Sequence, residues 1–232
     1  MTFLNEPPST FELIPLALYI TAALYALLGI YTLRQRAQGA AASYLAWMML
    51  AMAWWSASYG MEIHVPELSA KILWVKIEYT GAAALPVFWM FFVLEYTSQS
   101  ALLTQRNKAL AALIPLLAVL AMWTNEFHGL IYSDLHTAPT GDLTLLIVDH
   151  SWFFWVYLGY SYFLLGGGSL LLLFHTFRSA SLFRAQAATI LLATLSPWIG
   201  NAFSIAGLIP IPGLDITPFA FIPTGALFTW AI

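Results

Sequence analysis

Charged side chains are scarce in this chain, and the few that interrupt its apolar stretches are the first candidates for chemistry. The third apolar stretch carries Lys71, Lys76, Glu78 and Glu95. Placing a charge at the centre of a lipid-embedded helix costs about 3 kcal/mol on insertion scales, so each such group needs a partner or a function. Lys76 and Glu78 are two residues apart and point to different faces of a helix, so they do not pair with each other. Lys71 or Lys76 can meet Glu62 at the end of the preceding stretch, and Glu78 can meet a Tyr, Asn or Trp of a neighbour. The competing reading sends Lys71 and Lys76 along the helix to nearby water. Glu78, with its shorter arm, is the better candidate for a buried polar role. Glu95, at the other end, can reach water.

His64, His128, His136 and His150 fall in connectors near Glu62, Asp134 and Asp149. Imidazoles beside carboxylates can bind zinc or respond to pH. None of these pairs has the helical spacing of a preformed metal site, so solvated or capping roles are expected and no metal is assigned. Cysteine is absent, which excludes disulfides and thiolate metal sites. The aromatics Trp54, Trp55, Trp74, Trp123, Trp152 and Trp155, with Tyr59, Tyr79, Phe127, Tyr132 and Tyr157, gather toward one set of helix ends. An interfacial belt accounts for part of this but would appear at both faces. The excess fits an aromatic-lined pocket for a small ligand, and belt and pocket can coexist. There is no phosphate-binding glycine loop, nucleophile elbow, H-E-x-x-H motif or basic run, so no catalytic residue, cofactor or nucleic-acid partner is assigned. The last apolar stretch has no Lys for a retinal Schiff base, which argues against a light-driven pump.

The elements that must hold these groups follow from composition. With 61% hydrophobic and 8% charged residues and a mean hydropathy of +0.79, the solvent is lipid. Seven apolar runs, at 13–33, 40–60, 72–95, 109–123, 152–177, 187–208 and 216–232, approach the roughly 20 residues of a spanning helix. Basic residues occupy alternate connectors, Arg34 and Arg36, Arg106 and Lys108, Arg178 and Arg184. The intervening ones carry acid: Glu62 and Glu67, then Glu126, Asp134, Asp142 and Asp149, then Asp215. Basic loops stay cytoplasmic, so this alternation predicts an all-α, seven-transmembrane-helix bundle with its N-terminus outside and C-terminus cytoplasmic. The first run is too long for a signal-peptide core, follows Glu6 and Glu12, and shows no cleavage site, so it is expected to be retained. The fourth run is short. The seventh reaches the end of the chain before a basic stop signal and reads as continuing into a cytoplasmic part. In connector 124–151, segments 130–132 and 143–148 flank Ala138-Pro139-Thr140-Gly141-Asp142, predicting a small outer β-hairpin between helices 4 and 5. Pro86, Gly166-Gly167-Gly168, Pro197 and Gly200 mark close packing or fixed bends inside helices.

Several segments in order resemble the N-terminal seven-transmembrane sensor region of bacterial histidine kinases and related signalling proteins. They are Trp74-Val75-Lys76-Ile77-Glu78-Tyr79-Thr80-Gly81, Pro86-Val87-Phe88-Trp89, Glu95-Tyr96-Thr97, and Thr124-Asn125-Glu126-Phe127-His128-Gly129-Leu130-Ile131-Tyr132. Further along come Tyr157 and Tyr160, Phe183-Arg184-Ala185-Gln186, Pro197-Trp198-Ile199-Gly200-Asn201, and Pro212-Gly213-Leu214-Asp215-Ile216-Thr217-Pro218. The resemblance implies a receptor-like module, one domain over residues 1–232, whose last helix leads to a cytoplasmic kinase or other output domain. It supplies neither a ligand nor a catalytic residue, and phosphotransfer is not assigned to this chain.

The expected function is therefore to sense an extracytoplasmic or membrane-borne stimulus from the inner (plasma) membrane and relay it through the last helix. Expected partners are the lipid bilayer, an unidentified small-molecule or membrane stimulus, the output domain and a second copy in a homodimer. Candidate ligand-binding or signalling residues are Glu62, Lys76, Glu78, Tyr79, Asn125, His128, Asn201 and Asp215. Asn125 and Asp215 also suit purely capping roles, and Asp215-Ile216-Thr217-Pro218 reads as a helix start. The alternative is a small-molecule transporter or channel with a polar path through Glu78, Glu95 and His175. It fits less well, because polar residues cluster at helix ends whereas carriers bind near the midplane. A lipid-modifying enzyme would need paired acid and base, and only scattered candidates exist.

Overall fold

The computed structural model describes residues 13–34, 39–178, 181–222 and 224. Its long helices are α1 (Leu13–Arg34), α2 (Ala40–His64), α3 (Leu68–Tyr96), α4 (Gln105–Trp123), α5 (Trp152–Arg178) and α6 (Ser181–Ile205). Helix resumes at Thr217; most of the expected seventh run, like Glu6, Glu12 and Arg36, lies outside the described residues. Among those described, α1, α3, α4, α5 and α6 are long and apolar enough to cross a membrane. Their exposed faces fit that solvent: Leu16, Ile20, Leu24 and Leu27 form one stripe on α1, and Leu113, Leu116, Leu117 and Leu120 another on α4. α2 packs between α1 and α3, so much of its surface meets protein.

Glycine brings these helices close. A Cβ on Gly81 of α3 would meet the Trp54 ring at 2.8 Å and the Ala51 carbonyl at 3.0 Å, and one on Gly168 of α5 would meet Nε1 of Trp89 at 2.7 Å. Small residues at crossings allow this in lipid. α2 runs on to His64, so Glu62 is helical rather than part of a connector. The helix ends at Val65, extended at φ −82° and ψ 135°, because the following Pro66 disfavours helical backbone in its predecessor.

The expected hairpin is present as β1 (Tyr132–Thr140) and β2 (Leu143–His150), antiparallel, with Thr140 opposite Leu143. Its turn is tighter than predicted. Only Gly141 and Asp142 intervene, Gly141 taking φ 59°, while Ala138 to Thr140 belong to the strand. Pro139 is tolerated because a two-stranded ribbon has an open edge on each strand. β2 turns its Leu145 and Leu146 into the protein, where both are buried.

Candidate functional site

A cavity of about 530 Å³ opens among α2, α3, α5, α6, β2 and the connector that follows α6. Helix geometry explains its wall. On α2, Trp55, Tyr59 and Glu62 recur at helical spacing, and on α3 Glu78, Tyr79 and Ala82 do the same. β2 contributes Leu146 and His150, and the connector contributes Gly213 and Asp215. Gly213 is required there: at φ 81°, a Cβ would sit 2.6 Å from the Leu146 carbonyl oxygen, so only glycine lets the connector lie on β2. Hairpin and connector together roof the cavity.

Its polar groups differ in how well they are satisfied. Glu62, 3% exposed, is paired with the fully buried Lys71, whose Nζ lies 3.2 Å from Oε1 and donates to the Glu62 carbonyl oxygen at 2.6 Å. Asp215 caps the helix that begins at Thr217. Its Oδ1 accepts from the Thr217 amide at 2.9 Å and from the Thr217 hydroxyl at 2.5 Å. The Asp215 amide donates to the Tyr59 hydroxyl at 2.7 Å, tying that helix start to α2. The Asn201 side-chain oxygen accepts from the Tyr162 hydroxyl at 3.0 Å. By contrast, Oε2 of Glu78 and the hydroxyl of Tyr79 are buried with no hydrogen-bond partner among the described residues. Such groups are unusual in a folded protein and call for an explanation.

Of the sequence candidates, Glu62, Glu78, Tyr79, Asn201 and Asp215 come together around this cavity, and Lys76, Asn125 and His128 do not line it. Lys76 forms an ion pair with Glu126 and donates to the Trp123 carbonyl at 3.2 Å. The hydrogen bond that Lys76 donates to the Glu126 carboxylate holds that carboxyl below its ordinary range. Asn125 clasps the entry to β1: its Oδ1 accepts from the amides of Ile131 (2.9 Å) and Tyr132 (3.2 Å), and its amide group donates to the Tyr132 carbonyl at 2.9 Å. His128 bridges the Thr124 hydroxyl (3.0 Å) and the Leu130 amide (3.1 Å) in the same turn.

The aromatic excess divides as its two readings anticipated. Trp55, Tyr59, Tyr79, Tyr132 and Tyr157 line the cavity, while Trp54, Trp123, Trp152, Trp155 and Phe127 are exposed. Tyr132 and His150 are both displaced from ordinary titration by desolvation. It raises the phenol, and it lowers the imidazole against the opposing charge of Asp149. Sequence reasoning did not single out Ser204 or Gly213, which also face the cavity. The Pro212-Gly213 step was the available signal for a tight approach in that connector. Among the described residues, no three His, Asp or Glu side chains gather as metal ligands.

Long apolar helices around an aromatic-walled cavity define a helical membrane protein. The chain belongs to the family described as the N-terminal 7TM region of histidine kinase, which it matches over residues 17–232. Comparisons with curated proteins and with solved structures give no match.

Proposed function

We propose that the chain is a transmembrane signal-sensing domain of seven helices spanning residues 1–232. In this reading the hairpin side faces outward, the basic connectors face the cytoplasm of an inner (plasma) membrane, and the last helix drives an output domain such as a histidine kinase. A homodimer in the bilayer would carry the relay. One observation carries the proposal: the cavity is roofed by the connector that leads straight into the final helix. Asp215 caps that helix from the cavity wall and is bonded to α2 through Tyr59. Further along, the Tyr25 hydroxyl of α1 donates to the Phe221 carbonyl. An occupant that binds one setting of these contacts better than another shifts the helix by its difference in affinity.

Transport is less well supported. Away from the hairpin, the buried hydroxyls of Thr32, Thr97 and Thr176 bond back to carbonyls four residues earlier in their own helices, at 2.7–2.8 Å, and offer no polar path. The test is signalling by a full-length protein carrying Glu78→Gln or Tyr79→Phe. Output should change at normal membrane levels; wild-type output from both variants would remove these residues from the site.

A further inference from the structure

The charge and lining of the cavity specify a class of occupant. Three carboxyl groups, those of Glu62, Glu78 and Asp215, line it within electrostatic reach of one another. Two are already balanced: Glu62 by Lys71, and Asp215 by its bonds from Thr217. Glu78 has no cation within ion-pair distance among the described residues, and no Lys or Arg is found in the described lining. Tyr79 also lines the space, and its hydroxyl is buried without a hydrogen-bond partner among the described residues. The surrounding walls are faces and edges of Trp55, Tyr59, Tyr132, Tyr157 and Trp198.

We propose that this cavity binds an organic ammonium compound, with its cationic head at the Glu78 carboxyl group and its apolar body against the aromatic walls. Resting on the sensor reading above, this names the chemistry of the stimulus. An ammonium group supplies a counter-charge, donates to the carboxylate, and is attracted to aromatic rings in a desolvated site. An anionic ligand would meet three carboxyl groups with one buried lysine among them. A bare metal ion lacks a set of three converging ligands. The volume, about 530 Å³, is that of a pocket for a drug-sized molecule rather than an ion.

The test uses the chain in lipid nanodiscs and reads tryptophan fluorescence during titration with 2-phenylethylammonium, then with propylbenzene, its neutral isostere. Saturable binding of the cation is expected, with the isostere at least about tenfold weaker. Glu78→Gln should weaken the cation by about tenfold or more and leave propylbenzene unchanged. If Glu78→Gln does not fold, judged by its thermal transition, the isostere pair in the wild-type chain decides. Absence of saturable cation binding, equal affinity for the two probes, or full affinity in Glu78→Gln would each overturn the proposal.

A cavity-filling variant, Ala82→Trp in the full-length protein, separates this from the sensor reading. Altered output from this variant, with no saturable cation binding to the wild-type chain, would leave the sensor and remove the ammonium ligand. Saturable cation binding to the wild-type chain, with unaltered output from the variant, would do the reverse.

Discussion

The two ends of the bundle solve opposite problems. At the hairpin end, polar groups are buried in number and held by specific partners: Lys71 on Glu62, Asn125 on the β1 entry, and Asp215 on Thr217. At the far end the interior is dominated by the apolar side chains of Met49, Phe92, Val93 and Leu172. Close packing of apolar side chains gives one rigid arrangement, whereas a set of directional bonds around a cavity can be exchanged for bonds to an occupant. The contrast teaches where stability resides and where change can start.

The largest effect should come from Lys71→Met, which strands the Glu62 carboxyl in a buried site. It should cost about 3–5 kcal/mol in thermal or denaturant unfolding, and most of that loss should return in the double variant with Glu62→Gln. If the double variant is no more stable than the single one, the pair does not act as a unit. Leu172→Ala, at the apolar end, should cost about 3 kcal/mol through the space it leaves. It should leave ligand affinity unchanged, and a coupled loss of affinity would dissolve the distinction between the two ends.

Gly213→Ala forces a Cβ against the Leu146 carbonyl at a left-handed backbone position, at a cost of about 2 kcal/mol. The effect should be local, read as faster hydrogen exchange in β2, with α5 unaltered beyond residue 170. The smallest effect belongs to Glu126→Gln, less than about 1 kcal/mol, because the Glu126 side chain is 54% exposed. Its carboxyl titrates below the ordinary value in the folded chain. Whatever stability it adds is therefore present above the ordinary carboxylate range and lost as pH falls through the lower, folded value. The Gln variant should flatten that acid limb of the unfolding curve.

Much of this was legible in the chain because lipid and water sort residues by simple rules. Apolar runs of sufficient length gave helices close to where they form, and two β-prone stretches about a Pro/Gly step gave the hairpin. The Asp215 cap could be read locally, since an Asp two residues ahead of Thr217 needs no distant partner to bond its amide. Bounds were less legible: Glu62 looked like a connector residue because the apolar run ends at Gly60, yet α2 continues until Pro66 stops it.

The candidate site divided along the same line. Asn125, His128 and Lys76 have the composition of a binding site, but their partners are nearby turns and Glu126, so they build the support rather than the cavity. Nothing in the sequence distinguished Lys71 from Lys76 as the mate of Glu62. That choice depends on the angle and register at which α3 packs against α2, which the close approach at Gly81 sets.

By itself the sequence determined the solvent, the six long helices among the described residues, the hairpin and the end of the molecule where polar groups gather, because each follows from local composition and spacing. Only the tertiary structure decided that residues as distant as Tyr59, Glu78, His150 and Asp215 share one cavity. It alone left Glu78 without a counter-charge among the described residues, since a charge is satisfied or stranded only by what folding places beside it.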